Sequence, residues 1–335
     1  MATCEYDLTR KTFVCFLILF VAAAHSQAVE LTLHPSKVDE TAQIYRLVVK
    51  PDKLIDGDAV PLYEKAIQLM PKRSQHEQIR KWRNLPIEQF PQDAAEQVIQ
   101  NHLESLRLVV KGTRCKECNW PKWKPGNDPP DMRYRDIASV MQLWARLEIC
   151  RGQYQNATIA MQTAFGMAKH LGQAPTIIQA LVGASIGGMT CNELEQFVQC
   201  KDAPNLYKAL TNLPEPLIDV EKAIMSEAEY QKDINDQERK VIQTSHDRVR
   251  LNIKRLDNHV NALQVVEAMR HYATTHAGQL PQALSDIKDI EVPNDLMSGK
   301  AFEYRRTTKG AMLKSAIPRG FKERDAIHYE IVLKK

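Results

Sequence analysis

Apolar positions recur at three and four residues along most of the chain, the spacing that lines one face of an α-helix. Ile137, Met141, Trp144, Leu147 and Cys150 form one such stripe, and Ala157, Met161, Ala164, Ala168 and Leu171 form a second, richer in small residues. Arg151-Gly-Gln-Tyr154 breaks the pattern between them, so the segment predicts two antiparallel helices joined by a tight turn. Earlier, Pro61 to Pro71 sets Leu62, Ala66, Leu69 and Met70 on one face, within a helical region that runs from Val38 to Leu108. From Thr176 to Asn192 no residue is charged and Gly183-x-x-x-Gly187 recurs on one side, which predicts a helix buried on most faces. A membrane span needs about 20 apolar residues, and Gln179, Ser185, Thr190 and Asn192 interrupt this run, so a core helix is favoured. Val249, Ile253, Leu256, Val260, Leu263 and Val266 then trace a stripe along one or two long, charged helices between Pro214 and His276.

Two stretches break with this periodicity. Gly112 to Asp131 contains Cys115-Lys-Glu-Cys118-Asn-Trp-Pro-Lys-Trp-Lys-Pro and no period, which is loop composition. After Gly278, turn signals at Pro281, Pro293 to Gly299 and Thr307 to Gly310 flank strand-like Phe302 to Arg305, Met312 to Ile317 and His328 to Leu333. The expected architecture is mainly α, irregular tetratricopeptide-like hairpins with a small C-terminal α+β module. It divides into a signal peptide (1–26), an N-terminal helical region (27–111), the Cys/Trp/Pro loop (112–131), a hairpin core with a long charged helix (132–258) and the terminal module (259–335).

The N-terminus changes the picture of where this fold resides. Arg10 and Lys11 precede an uncharged run from Thr12 to Ala24 that exits through Ala24-His25-Ser26, the order of a secretion signal with its apolar stretch of about 7–15 residues. The protein is therefore expected to be exported, periplasmic or associated with the cell envelope, with membrane contact only if this segment is retained. Forty-five basic against 41 acidic residues leave a net charge of +4, without long runs of one sign, which argues against a nucleic-acid partner. Of seven cysteines, Cys4 and Cys15 leave with the signal; Cys115, Cys118, Cys150, Cys191 and Cys200 remain, too few to make a disulfide scaffold.

Candidate chemistry is sparse. Cys115-x-x-Cys118 reads as a structural disulfide or loop thiols, as half of a zinc site, or as a redox pair; no second knuckle at zinc spacing and no strand-to-helix setting accompanies it. Gly183-Ala-Ser185-Ile-Gly187 matches a nucleophile-elbow string, but inside a helical pattern, where close packing through small residues is the better account. His271 and His276 fall on different sides of one helix. Glu227, Asp233, Glu238 and Arg239 read as a solvated helix face. Trp120 and Trp123, interleaved with Lys122 and Lys124, either form a binding loop or pin the loop to the core. No cofactor or metal site is expected.

Cys118-Asn-Trp120, the hairpin through Leu147 to Leu171, Pro175 to Gly183 and Ala203 to Asp219 resemble a family of exported planctomycete-type bacterial proteins, over roughly residues 60–230. Ala268 to Pro318 is similar to the C-terminal module that follows pseudopilin-like helices, without the prepilin cleavage pattern. Neither resemblance implies a catalytic residue. The functional expectation is a non-enzymatic exported scaffold that binds a protein or peptide of the cell envelope. Alternatives are a hydrolase-like enzyme, with Ser185 its only nameable nucleophile, and an accessory of a secretion or pilus-like assembly. Intact-mass analysis of the mature protein should return an N-terminus between His25 and Val29; a species beginning at Met1 would refute cleavage.

Overall fold

A computed structural model describes residues 28–39, 44–71, 76–122, 124, 133–229 and 234–334. The segment expected to be a signal peptide (1–26) and Trp123 lie outside these residues, as does Asp233. The fold is mainly α with a small strand module, as the periodicity predicts. Its described order is β1 (Val29–Leu33), β2 (Ile55–Asp58), α1 (Ala59–Gln68), α2 (His76–Arg83), α3 (Gln92–Asn101), α4 (Leu103–Gly112), β3 (Cys115–Glu117), α5 (Tyr134–Cys150), α6 (Tyr154–Gly172), α7 (Ile177–Phe197), α8 (Tyr207–Thr211), α9 (Glu221–Ala228), α10 (Asp236–Thr275), β4 (Glu303–Arg306), β5 (Ala311–Lys314) and β6 (His328–Leu333).

The two central stripes become α5 and α6, and Gly152 turns the chain between them at a φ of +67°, where a Cβ would be strained. Small residues then set how closely α7 approaches its neighbours. A Cβ on Gly183 would lie 2.6 Å from Ala168 O of α6, and one on Gly187 would lie 2.7 Å from Leu256 Cδ2 of α10. The uncharged run is thus a core helix enclosed by α5, α6 and α10, and among the described residues no helix is long and apolar enough to cross a membrane. Along α10 the predicted stripe is buried throughout, from Val249 to Val266.

The terminal module departs from the expected boundaries. Its sheet has the order β1-β6-β5-β4, and β1 pairs parallel with β6 in register from Val29 opposite Tyr329 to Leu33 opposite Leu333. The strand that opens the described chain therefore belongs to the sheet that ends it, not to an N-terminal helical region. A boundary at residue 258 falls inside α10, whose C-terminal part contributes Val265, Val266 and Met269 to the same core as Leu31, Leu33, Phe302 and Ile331. The Cys/Trp/Pro loop is likewise shorter than its composition suggests: α4 reaches Gly112, and β3 pairs parallel with β2.

Buried charges join these parts. Glu195 of α7 accepts from Tyr329 Oη at 2.7 Å and pairs with His259 Nε2 at 2.8 Å, linking α7, β6 and α10. Arg146 pairs with Glu193 at 3.0 Å and donates to the carbonyls of Trp82, Arg83 and Leu85 where α2 ends. Arg270 and Glu267 are wholly buried and pair at 2.8 Å. The same guanidinium donates to His34 O at 3.0 Å and Ala203 O at 2.8 Å, while Glu267 accepts from Leu206 N at 2.9 Å. Glu227, expected on a solvated face, is partly buried and accepts from Ile177 N at 2.8 Å, capping the start of α7; burial pushes its carboxyl up to about 6. Glu238 is exposed as expected and closes a capping box with Asn235.

Removing one partner of a buried pair leaves the other charge uncompensated. Arg270→Ala should lower unfolding free energy by about 3–5 kcal/mol in denaturant titration, and adding Glu267→Gln should restore part of it. A loss below about 1 kcal/mol, the level of a surface pair, would show that the pair does not hold the fold.

Candidate functional site

A surface concavity forms where α1, the segment after β3, and the starts of α5 and α7 meet. Asp58 organises the first of these. It caps α1 by accepting from Val60 N at 3.1 Å and holds the outgoing loop by accepting from Asn119 N at 3.0 Å. Helical spacing on α1 then turns Tyr63, Ala66 and Ile67 inward and leaves Glu64 and Gln68 exposed on adjacent turns. Tyr63 packs so tightly on α4 that a Cβ on Gly112 would lie 2.6 Å from its ring.

Beneath the loop, α6 ends in His170-Leu-Gly172, and carbonyls in a last helical turn lack intrahelical partners. Gln173 N caps His170 O at 3.1 Å, and Trp120 adds a second donor: its Nε1 donates to His170 O at 2.7 Å, while the Cys118 thiol points at the same oxygen at 3.9 Å. The Trp120 ring is also held from two sides, stacked at 6.5 Å and 25° on Tyr63 and edge-on at 5.8 Å and 87° to Tyr134. Trp120 therefore pins the loop to the core and, being half-buried, also presents surface.

That surface is one wall of a cavity of about 440 Å³. Ile67, Trp120, Pro121 and Tyr134 give it apolar walls, and Glu64, Gln68, Arg133 and Gln179 give it polar ones. Arg133 Nη1 donates to Ile67 O at 3.4 Å, beside the end of α1. Gln179 has its orientation fixed, because its Oε1 accepts from Thr176 Oγ1 at 2.8 Å, which directs the amide donors away from that bond.

The sequence-selected cysteines sit behind this wall without a bridge. Cys115 and Cys118 are both free; the Cys115 thiol points at Lys111 O at 3.6 Å, a different carbonyl from the one Cys118 faces, so of the readings open to the motif the possible disulfide is not formed and loop thiols are what the structure has. Burial raises both thiols, that of Cys118 to about 12; at neutral pH they are protonated and poor nucleophiles. Among the described residues no three His, Cys, Asp or Glu side chains gather as a metal site would require. Ser185 lies in the interior of α7, not on the strand-to-helix turn a nucleophile elbow needs. His271 is buried and its Nδ1 accepts from Val38 N at 3.1 Å, a packing role.

Two residues of the cluster escaped sequence reasoning. Tyr63 Oη lies 2.7 Å from His170 Nδ1 in a buried hydrogen bond, and burial holds the imidazole neutral, its pKa lowered to about 4. No protein-family profile, curated protein or solved structure matches this chain. What the geometry defines is a clamped aromatic wall with oriented polar groups, above buried thiols and an imidazole that are neutral at physiological pH.

His170 gives that core a measurable pH response. Its folded pKa lies below the ordinary value of 6.5, so the unfolded chain takes up the proton first, and the stability it contributes above pH 6.5 is lost as pH falls towards 4. Asp257 and Glu227, both raised to about 6 by burial, act oppositely: their contribution is full below their ordinary carboxyl values and lost as pH rises through 6. A difference measurement separates the two. Between pH 7 and 4.5 the stability advantage of the native protein over His170→Asn should shrink by about 2–3 kcal/mol; a difference independent of pH would refute a neutral, buried His170.

Proposed function

We propose that this protein is an exported, non-enzymatic scaffold whose helical body presents the Trp120 pocket to a peptide segment of a cell-envelope protein. The clamping of Trp120 carries the reading. Its N–H is engaged by His170 O and its ring by Tyr63 and Tyr134, so an aromatic anchor of the kind that dominates binding energetics is already ordered before a partner arrives. Exposed Gln68 and Glu64 alongside it supply backbone-seeking polar groups. The N-terminal signal pattern and the resemblance to exported planctomycete-type proteins support the compartment.

Random peptides displayed on phage and selected on the purified mature protein provide the test. Selected peptides should lose at least tenfold in affinity on Trp120→Ala and several-fold on Gln68→Glu, an exposed position that leaves packing intact. Equal affinity for all three proteins would place binding elsewhere and overturn the assignment of this pocket.

A further inference from the structure

We infer that two copies of this protein pair through the open edge of the terminal sheet, β4 against β4, antiparallel and centred on Tyr304. The two edges of that sheet differ. At β1 a side chain covers the edge, since Gln199 Oε1, just after α7, accepts from Thr32 N at 3.1 Å. At β4 two bonds fix the direction of the backbone groups. Thr307 N donates to Gly310 O at 3.0 Å, and Ser315 N donates to Ile327 O at 3.0 Å. By alternation, β5 turns residues 310, 312 and 314 towards β4 and residues 311, 313 and 315 towards β6. Glu303 and Arg305 therefore direct their N–H and C=O to β5, while those of Tyr304 and Arg306 point out of the sheet. Among the described residues no backbone partner meets these outward groups. Tyr304 also anchors the strand from the inner face, its Oη donating to Pro281 O at 2.7 Å.

Open edges are commonly blunted by charge, and here the charges select the strand that fits. Glu303 and Arg305 are exposed, two residues apart on the outer face, and neither forms an ion pair among the described residues. Opposite residues of an antiparallel pair share a face, so a two-fold pairing must be centred on one residue. With Tyr304 at the centre, the two Tyr304 backbones exchange both hydrogen bonds. Glu303 of each copy then lies opposite Arg305 of the other, at the closely spaced position where opposite charges stabilise. Centring on Arg305 would set that guanidinium against itself, which is destabilising. An apolar strand would leave both charges unanswered. The edge is thus self-complementary in a single register.

The seam is short, so the dimer belongs to the weak class that buries less than about 1,200 Å². Sedimentation equilibrium of the full mature protein should show a monomer–dimer equilibrium with a Kd of about 10–500 µM, weakened by salt. Glu303→Arg and Arg305→Glu, both at exposed positions, should each weaken association at least about fivefold, because each sets like charges opposite one another. Mixed in equal amounts, the two variants should associate as the native protein does, and so should the double variant, since both restore opposite charges across the seam. Arg306→Pro removes an outward N–H that β5 does not use and should abolish association in a protein with native circular dichroism. The charge exchange stands whether or not the proline variant folds. A native protein that stays monomeric to about 1 mM, well above the expected Kd, would overturn the proposal. Association that survives both single charge variants, or that the mixture fails to regain, would overturn it as well.

Discussion

Three distant stretches of chain meet at one buried guanidinium, and the arrangement of the terminal half follows from it. Arg270 and Glu267 stand one turn apart on α10, both without exposure to solvent. Two unsatisfied charges there would be prohibitive, so every nearby backbone group that can neutralise them is drawn in. His34 O and Ala203 O accept from Arg270, Leu206 N donates to Glu267, and Asn205 Nδ2 bridges Ser36 O and Glu267 O at 2.8 and 2.9 Å. Once residues 34–36 are fixed in this way, the strand immediately before them can lie only along the sheet packed on α10, and β1 pairs with β6. The module at the end of the chain is consequently not detachable from its beginning.

Helical stripes were legible because their information is local: a three-and-four spacing needs no knowledge of what it packs against. That is why α5, α6, α7 and the core-facing stripe of α10 stand where the pattern puts them. The β1–β6 pairing is of the other kind. Val29-Glu-Leu-Thr-Leu33 alternates as a strand should, but its partner lies some 300 residues away, and a single alternating pentapeptide does not announce a parallel neighbour. The buried charges were missed for a different reason. Charged residues read as surface by composition, yet Glu267 follows Leu263 by four and Arg270 follows Val266 by four, so both continue the apolar stripe. A charge that occupies a stripe position is the available signal of a buried pair.

At the candidate site the same division holds. Trp120 was legible because a tryptophan in a proline-rich loop has few ways to avoid water except by packing or binding. Asp58 is legible in the sequence as an Asp directly before a helical pattern, the mark of an N-cap, but not as the holder of the loop at Asn119. Tyr63 and His170 carried no signal, since their contact crosses between α1 and α6 and neither lies in a motif. The cysteines drew attention by spacing alone, and spacing did not determine chemistry: α4 and α6 offer a carbonyl to each thiol, and burial keeps both protonated.

The loop owes its geometry to a structural need. The last carbonyls of α6 end among aromatic rings rather than in water, where a poorly satisfied carbonyl is costly; Gln173 N gives His170 O one donor at 3.1 Å and leaves its second lone pair open. The Trp120 indole N–H fills that place. A tryptophan recruited as a cap cannot turn freely, because rotating the ring would both break its hydrogen bond and open the stack on Tyr63. The ring face along the cavity is thereby fixed by the requirements of α6 and not by any ligand, so a partner meets a wall already in position and loses little conformational freedom on the protein side when it binds. In the proposed function, stability and recognition rest on the same hydrogen bond.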